Sequence, residues 1–94
     1  MTTLKVKKID SSLTNKGFRR MDGDHARYHF YYKGERTSIR TMVSHGEKEI
    51  GDPLISRMAK ETKLNKNQFT EFINCTLSEA AYIEILRELG EIER

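Results

Sequence analysis

From His25 to Tyr32 the chain alternates without a break. Ala26, Tyr28, Phe30 and Tyr32 point one way, and His25, Arg27, His29 and Tyr31 point the other. That two-residue period is the pattern of a β-strand with one face in a core and one in water. Lys33-Gly34-Glu35-Arg36 then turns the chain, and Thr37 to Ser44 forms the next strand with Ile39, Thr41 and Val43 inward. Ile39 and Val43 share a face with Tyr28 and Phe30 only if the numbers of opposed residues sum to an odd value. A four-residue loop at 33–36 gives a sum of 69, whereas a two-residue loop at 33–34 gives 67. Under the first choice His25 faces Ser44, Arg27 faces Met42, His29 faces Arg40 and Tyr31 faces Ser38. One face of the hairpin then gathers two histidines and two arginines.

The flanking segments supply the rest of an α+β domain. Val6, Ile9 and Leu13 recur at helical spacing over residues 6–16, and Gly17 is a C-terminal stop. Phe18 to Met21 reads as a short strand before the Asp22-Gly23 turn. Beyond residue 50, Asp52-Pro53 is an N-cap followed by proline at the first helical position, with Leu54, Ile55, Met58 and Ala59 as the buried stripe. Asn65 with Gln68 makes a capping box, and Leu64 with Phe69 a hydrophobic staple, for a helix with Phe69, Phe72 and Ile73 inward. Thr76 with Glu79 repeats the box for a last helix ending at Gly90, whose stripe is Leu77, Ala81, Ile85 and Leu89, with Tyr82 and Leu86 nearby. Ninety-four residues accommodate one core. The expected architecture is a single domain over 1–94, with helices on one face of a three-stranded antiparallel sheet.

Charge and cysteine usage narrow the setting. Residues 1–48 hold 11 Lys/Arg against 5 Asp/Glu, and residues 49–94 hold 6 against 9. A basic half joined to an acidic one points the first half toward a polyanion, with an unevenly charged solvated surface as the plain alternative. The single cysteine, Cys75, forms no internal disulfide, fits a reducing cytoplasmic compartment and is expected to pack near Ala80. The start of the chain carries no secretory pattern, and no apolar run is long enough for a membrane.

His25 and His29 have a zinc-finger spacing, but on a strand they stand roughly 13 Å apart, too far for one metal to span. No metal or other cofactor is expected; the competing reading is a mixed site that adds Asp24 and His45. His45 either assists His25 or ends its strand. Metal-free RNA cleavage needs a base for the 2′-hydroxyl proton and positive charge for the developing phosphorane. His25 beside Arg27, with Arg40 on the next strand, has those parts. Tyr31 on the polar face is placed to stack a base.

The order helix, three strands, helix is that of the double-stranded-RNA-binding fold. The run Lys16-Gly17-Phe18, then Gly23-Asp24-His25, then a strand, a glycine turn and Arg40-Thr41-Met42-Val43-Ser44-His45-Gly46, resembles HicA-type toxins. The resemblance covers about residues 6–62 and leaves 63–94 as a helical C-terminal extension. It implies a metal-independent endoribonuclease acting on mRNA, with His25 as general acid/base and a HicB-type antitoxin covering the active face. Arg19, Arg20, Arg27, Lys33 and Arg40 are the candidate phosphate contacts. Two departures stand out. Asp24 replaces the serine that usually precedes the histidine and sets a negative charge beside it. The extension has three available roles: thickening the core, making a homodimer contact, or covering the site. A non-catalytic RNA-binding module and a protein-interaction domain docking through the acidic helices are the competing readings.

Overall fold

In the computed structural model, which describes residues 3–74 and 76–92, nine elements follow one another. They are β1 (Leu4–Lys5), α1 (Val6–Asn15), β2 (Phe18–Asp22), β3 (His25–Tyr32), β4 (Glu35–Ser44), β5 (Glu49–Ile50), α2 (Asp52–Glu61), α3 (Lys66–Ile73) and α4 (Glu79–Glu88). The fold is mixed α+β: β2, β3 and β4 form one antiparallel sheet in that order, and β1 pairs with β5 in a small separate ribbon. Among the described residues no helix is long and apolar enough to cross a membrane. Cys75 and its expected packing lie outside the described residues.

The alternation holds in the structure from His25 to Phe30, and Tyr32 at its end is half-buried against the core. Ala26, Tyr28 and Phe30 are buried, as are Phe18 on β2 and Ile39, Thr41 and Val43 on β4. The helices supply the other half of this core through Ile9, Leu13, Ile55, Met58, Phe69, Phe72, Ile73, Tyr82 and Leu86. At its centre Phe18, Phe30, Phe72 and Tyr82 meet ring against ring, with centroids 4.7–6.3 Å apart. Tyr82 also donates its buried hydroxyl to the Thr62 carbonyl at 2.7 Å. The helical extension past residue 62 is therefore part of the one core. Full burial of a side chain such as Phe72 is worth about 1.5–3 kcal/mol.

Two polar ties fasten α1 to the end of α3. Ser12 Oγ donates to the Ile73 carbonyl at 2.6 Å, and Lys16 Nζ donates to the carbonyls of Phe72 and Leu77. A lysine at a helix C-terminus satisfies carbonyls that lack intrahelical partners and suits the negative end of the dipole.

The hairpin register joins the two alternatives that the loop length poses. From His25↔Ser44 to His29↔Arg40 opposed residues sum to 69, but Tyr31 pairs with Arg36 and Tyr32 with Glu35, a sum of 67. Tyr31 thus faces Arg36 and not Ser38. The tip is a two-residue turn in which Lys33 (φ 53°) and Gly34 (φ 81°) both take positive φ, the backbone of a type I′ hairpin. A bulge in β4 absorbs the difference of two residues. Thr37 holds it: its hydroxyl donates to the Phe30 carbonyl at 2.8 Å and accepts from the Ile39 amide at 3.2 Å. Because a shift of two preserves facing, both halves keep their apolar side inward.

Several helix boundaries differ from expectation. Gly51, not Asp52, is the N-cap of α2, and Asp52 is its first residue, its carboxylate paired instead with Lys66 at 2.7 Å. Ser78, not Thr76, caps α4 by accepting from the Ala81 amide, while Thr76 donates its hydroxyl to the Glu71 carbonyl. Tyr82 and Leu86 are the buried centre of α4, whereas Ala81 and Ile85 of the expected stripe are half-buried and Leu89 is 56% exposed. The Asn65–Gln68 capping box forms as expected. The ribbon Leu4↔Ile50, Lys5↔Glu49 was not expected, since two residues carry no periodicity.

Candidate nucleic-acid interface

The helix-free face of the sheet is built from rungs of directly opposed side chains. Met21, Arg27 and Met42 form one rung, and Arg19, His29 and Arg40 the next. His25 with Ser44 closes one end, and Tyr31 with Arg36 lies at the other. Opposed residues in an antiparallel sheet share a face, with Cα atoms about 4.5–5.5 Å apart. Arg19, Arg27, Arg36 and Arg40 are all exposed, and no strand residue on this face carries a carboxylate.

Each expected site residue can be placed on this frame. His25 opens β3 on the open face, partly exposed, with Arg27 two residues along on the same side. Arg40 lies opposite His29, two rungs from His25 or about 13 Å along the strand. Arg19 reaches across to Tyr31, its guanidinium 4.1 Å from the ring centroid. Lys33 sits in the turn, its ammonium 5.4 Å from the Tyr32 ring. Arg20 is on the opposite face: it pairs with Asp10 of α1 at 2.9 Å and with Asp22 at 2.8 Å. Asp10 also accepts the Tyr28 hydroxyl at 2.8 Å, and burial of that hydroxyl pushes its pKa up. Arg20 is thereby occupied in joining α1 to the sheet.

His45 closes the end of the site nearest His25. Its Nε2 lies 3.1 Å from the Gly23 carbonyl, and with a carbonyl as partner that nitrogen is the donor. The contact ties the end of β4 to the 22–24 turn that carries Asp24. Among the described residues no group of three or more His, Cys, Asp or Glu side chains is arranged to hold a metal ion.

The cations concentrate around His29. Burial lowers its pKa below the ordinary value, and the nearby charges of Arg36, Arg40 and Arg27 lower it further. Sequence reasoning set His29 opposite Arg40 but gave it no role, and it left Arg36 in a loop. The available signal was Lys33-Gly34, which could have been read as a two-residue turn with positive φ at both positions. No family model matches the chain, and no curated protein or solved structure gives a match.

Proposed function

We propose that the chain is an RNA-binding protein with the helix–sheet order of the double-stranded-RNA-binding fold, acting in the cytoplasm as a HicA-like endoribonuclease on mRNA. The observation that carries this reading is the open sheet face, where an outward histidine at the start of β3 shares a surface free of strand carboxylates with several arginines. His25 acts there as general acid/base. It takes the 2′-hydroxyl proton as that oxygen attacks phosphorus, and the imidazolium so formed gives the proton to the 5′-oxygen as its bond to phosphorus breaks. Arg27, the nearest same-face cation on the strand, stabilises the charge of the phosphorane. Arg19 and Arg40 hold the flanking backbone, and Lys33 extends the basic surface at the hairpin tip. A HicB-type antitoxin would mask this face. The test is RNA decay and growth arrest on expression. His25→Ala is expected to abolish both while leaving the far-UV spectrum unchanged, and a variant that cuts RNA as well as the parent ends the catalytic assignment.

One observation favours a second reading, an RNA-binding module without catalysis. The arginines gather around His29 and not around His25. That reading gives salt-sensitive RNA binding with the RNA intact after long incubation.

A further inference from the structure

The bulge in β4 changes which cations stand together. On a regular strand Arg36 and Arg40 would share a face about 13 Å apart, at roughly 3.3 Å per residue. Here Arg36 lies opposite Tyr31 and Arg40 opposite His29. Those partners are two residues apart, so the two arginines are separated by a single rung, about 7 Å. A depression of about 380 Å³ opens at this point, lined by His29, Arg36, Thr37, Ser38 and Arg40. A second, of about 370 Å³, adjoins it; its lining includes Arg27, His29, Arg40 and, from α2, Glu61. Glu61 is already engaged, accepting the Thr41 hydroxyl at 2.8 Å and lying 3.7 Å from the Arg57 guanidinium. Among the described residues Arg36 and Arg40 make no ion pair. Like charges held on adjacent rungs disfavour the fold unless an anion joins them.

We propose that the bulge builds a phosphate-binding site in which His29, Arg36 and Arg40 hold one backbone phosphate of RNA, distinct from the phosphate that His25 addresses. The proposal rests on the reading of this face as RNA-binding and adds the place where the strand is gripped. Two guanidiniums one rung apart can donate to the same phosphate, and the imidazole opposite Arg40 adds an N–H. Ser38 lines the same depression. With its pKa held low by burial and the arginine field in the free protein, His29 takes up a proton more readily once the phosphate offsets that field.

The experiment measures binding of a fluorescein-labelled, 2′-O-methylated single-stranded RNA, which cannot be cleaved through its 2′ position, over a series of salt concentrations. The proteins are the parent, Arg36→Gln, Arg40→Gln and, as a control of equal charge loss away from the sheet, Lys60→Gln on α2. Each arginine variant is expected to flatten the slope of log affinity against log salt by part of the value of about 0.7 that belongs to the one phosphate the two arginines share on a single strand. Lys60→Gln is expected to leave the slope unchanged, and neither arginine variant should lower the unfolding midpoint. In the parent, the His29 ring followed by NMR should titrate at higher pH with the RNA bound than without it. Arginine variants that keep the parent slope, with a His29 titration indifferent to RNA, overturn the site and leave the RNA-binding reading standing. A parent that does not bind at low salt overturns both. Tighter binding of polyglutamate, with the same dependence on Arg36 and Arg40, would reassign the site to an acidic protein and also end the proposal.

Discussion

His29 shows how a position on the sheet decides the behaviour of one side chain. Its ring lies on a rung between Arg19 and Arg40, and burial, with the charges of Arg36, Arg40 and Arg27, holds its pKa below that of an unfolded histidine. The unfolded chain therefore takes the proton first as pH falls. Stability is full where both states are neutral, and falls as pH drops through the ordinary histidine range toward the folded-state pKa. Urea midpoints between pH 7.5 and 5.5 should show this decline, and His29→Gln should shrink it. A second single-residue prediction concerns Tyr82, whose hydroxyl reaches the Thr62 carbonyl inside the core. Tyr82→Phe keeps the ring packing but strands a buried carbonyl, at a cost of about 1–2 kcal/mol by denaturant unfolding.

At the scale of elements, two glycines separate backbone strain from crowding. Gly34 has φ +81° in the hairpin turn, with nothing within 4 Å of a built Cβ. Gly34→Ala should cost about 1–2 kcal/mol, from the left-handed conformation alone. Gly17 has φ +97° between α1 and β2, and a Cβ there would meet Phe30 Cε1 at 2.8 Å and Glu79 Oε2 at 3.0 Å. Gly17→Ala carries the same backbone penalty plus a clash with a buried ring, so a loss of about 2–4 kcal/mol is expected. Comparing the two thermal transitions checks the ordering: equal losses would mean that Phe30 moves aside freely. The hairpin itself was partly readable. Alternation determines which residues face inward, but a shift of two residues leaves facing untouched, so no pattern of apolar residues could distinguish a register of 69 from one of 67. The twist-matched turn and the hydrogen bonds of Thr37 decide that both occur.

For the molecule as a whole, the extension past residue 62 belongs to the structure that presents the open face. Phe72 and Tyr82 complete the aromatic cluster with Phe18 and Phe30, and Lys16 and Ser12 reach from α1 to the carbonyls at the end of α3. A chain cut after Lys63 loses this half of the core and exposes Phe18 and Phe30. It should lack a cooperative unfolding transition and a near-UV spectrum, whereas a well-folded fragment would show the extension to be dispensable. This placement answers one of the roles open to those helices: they thicken the core beneath the sheet, on the side away from the arginines.

Read alone, the chain determined the mixed α+β class, the strand at 25–32 with its facing, the capping box at Asn65 and the outward direction of His25, Arg27, His29 and Arg40. Each of these follows from local rules: a two-residue period, a cap three residues from its partner, a glycine where a helix stops. Tertiary structure decided what local rules leave degenerate. Arg20 looks like Arg19 in sequence, yet the pleat sends one toward Asp10 and the other over Tyr31. Arg36 and Arg40 read as a loop residue and a strand residue, yet a bulge sets them on neighbouring rungs around His29. The charge of the open face depends on which strands lie side by side and in what register, and those pairings are made only when the sheet closes against the helices.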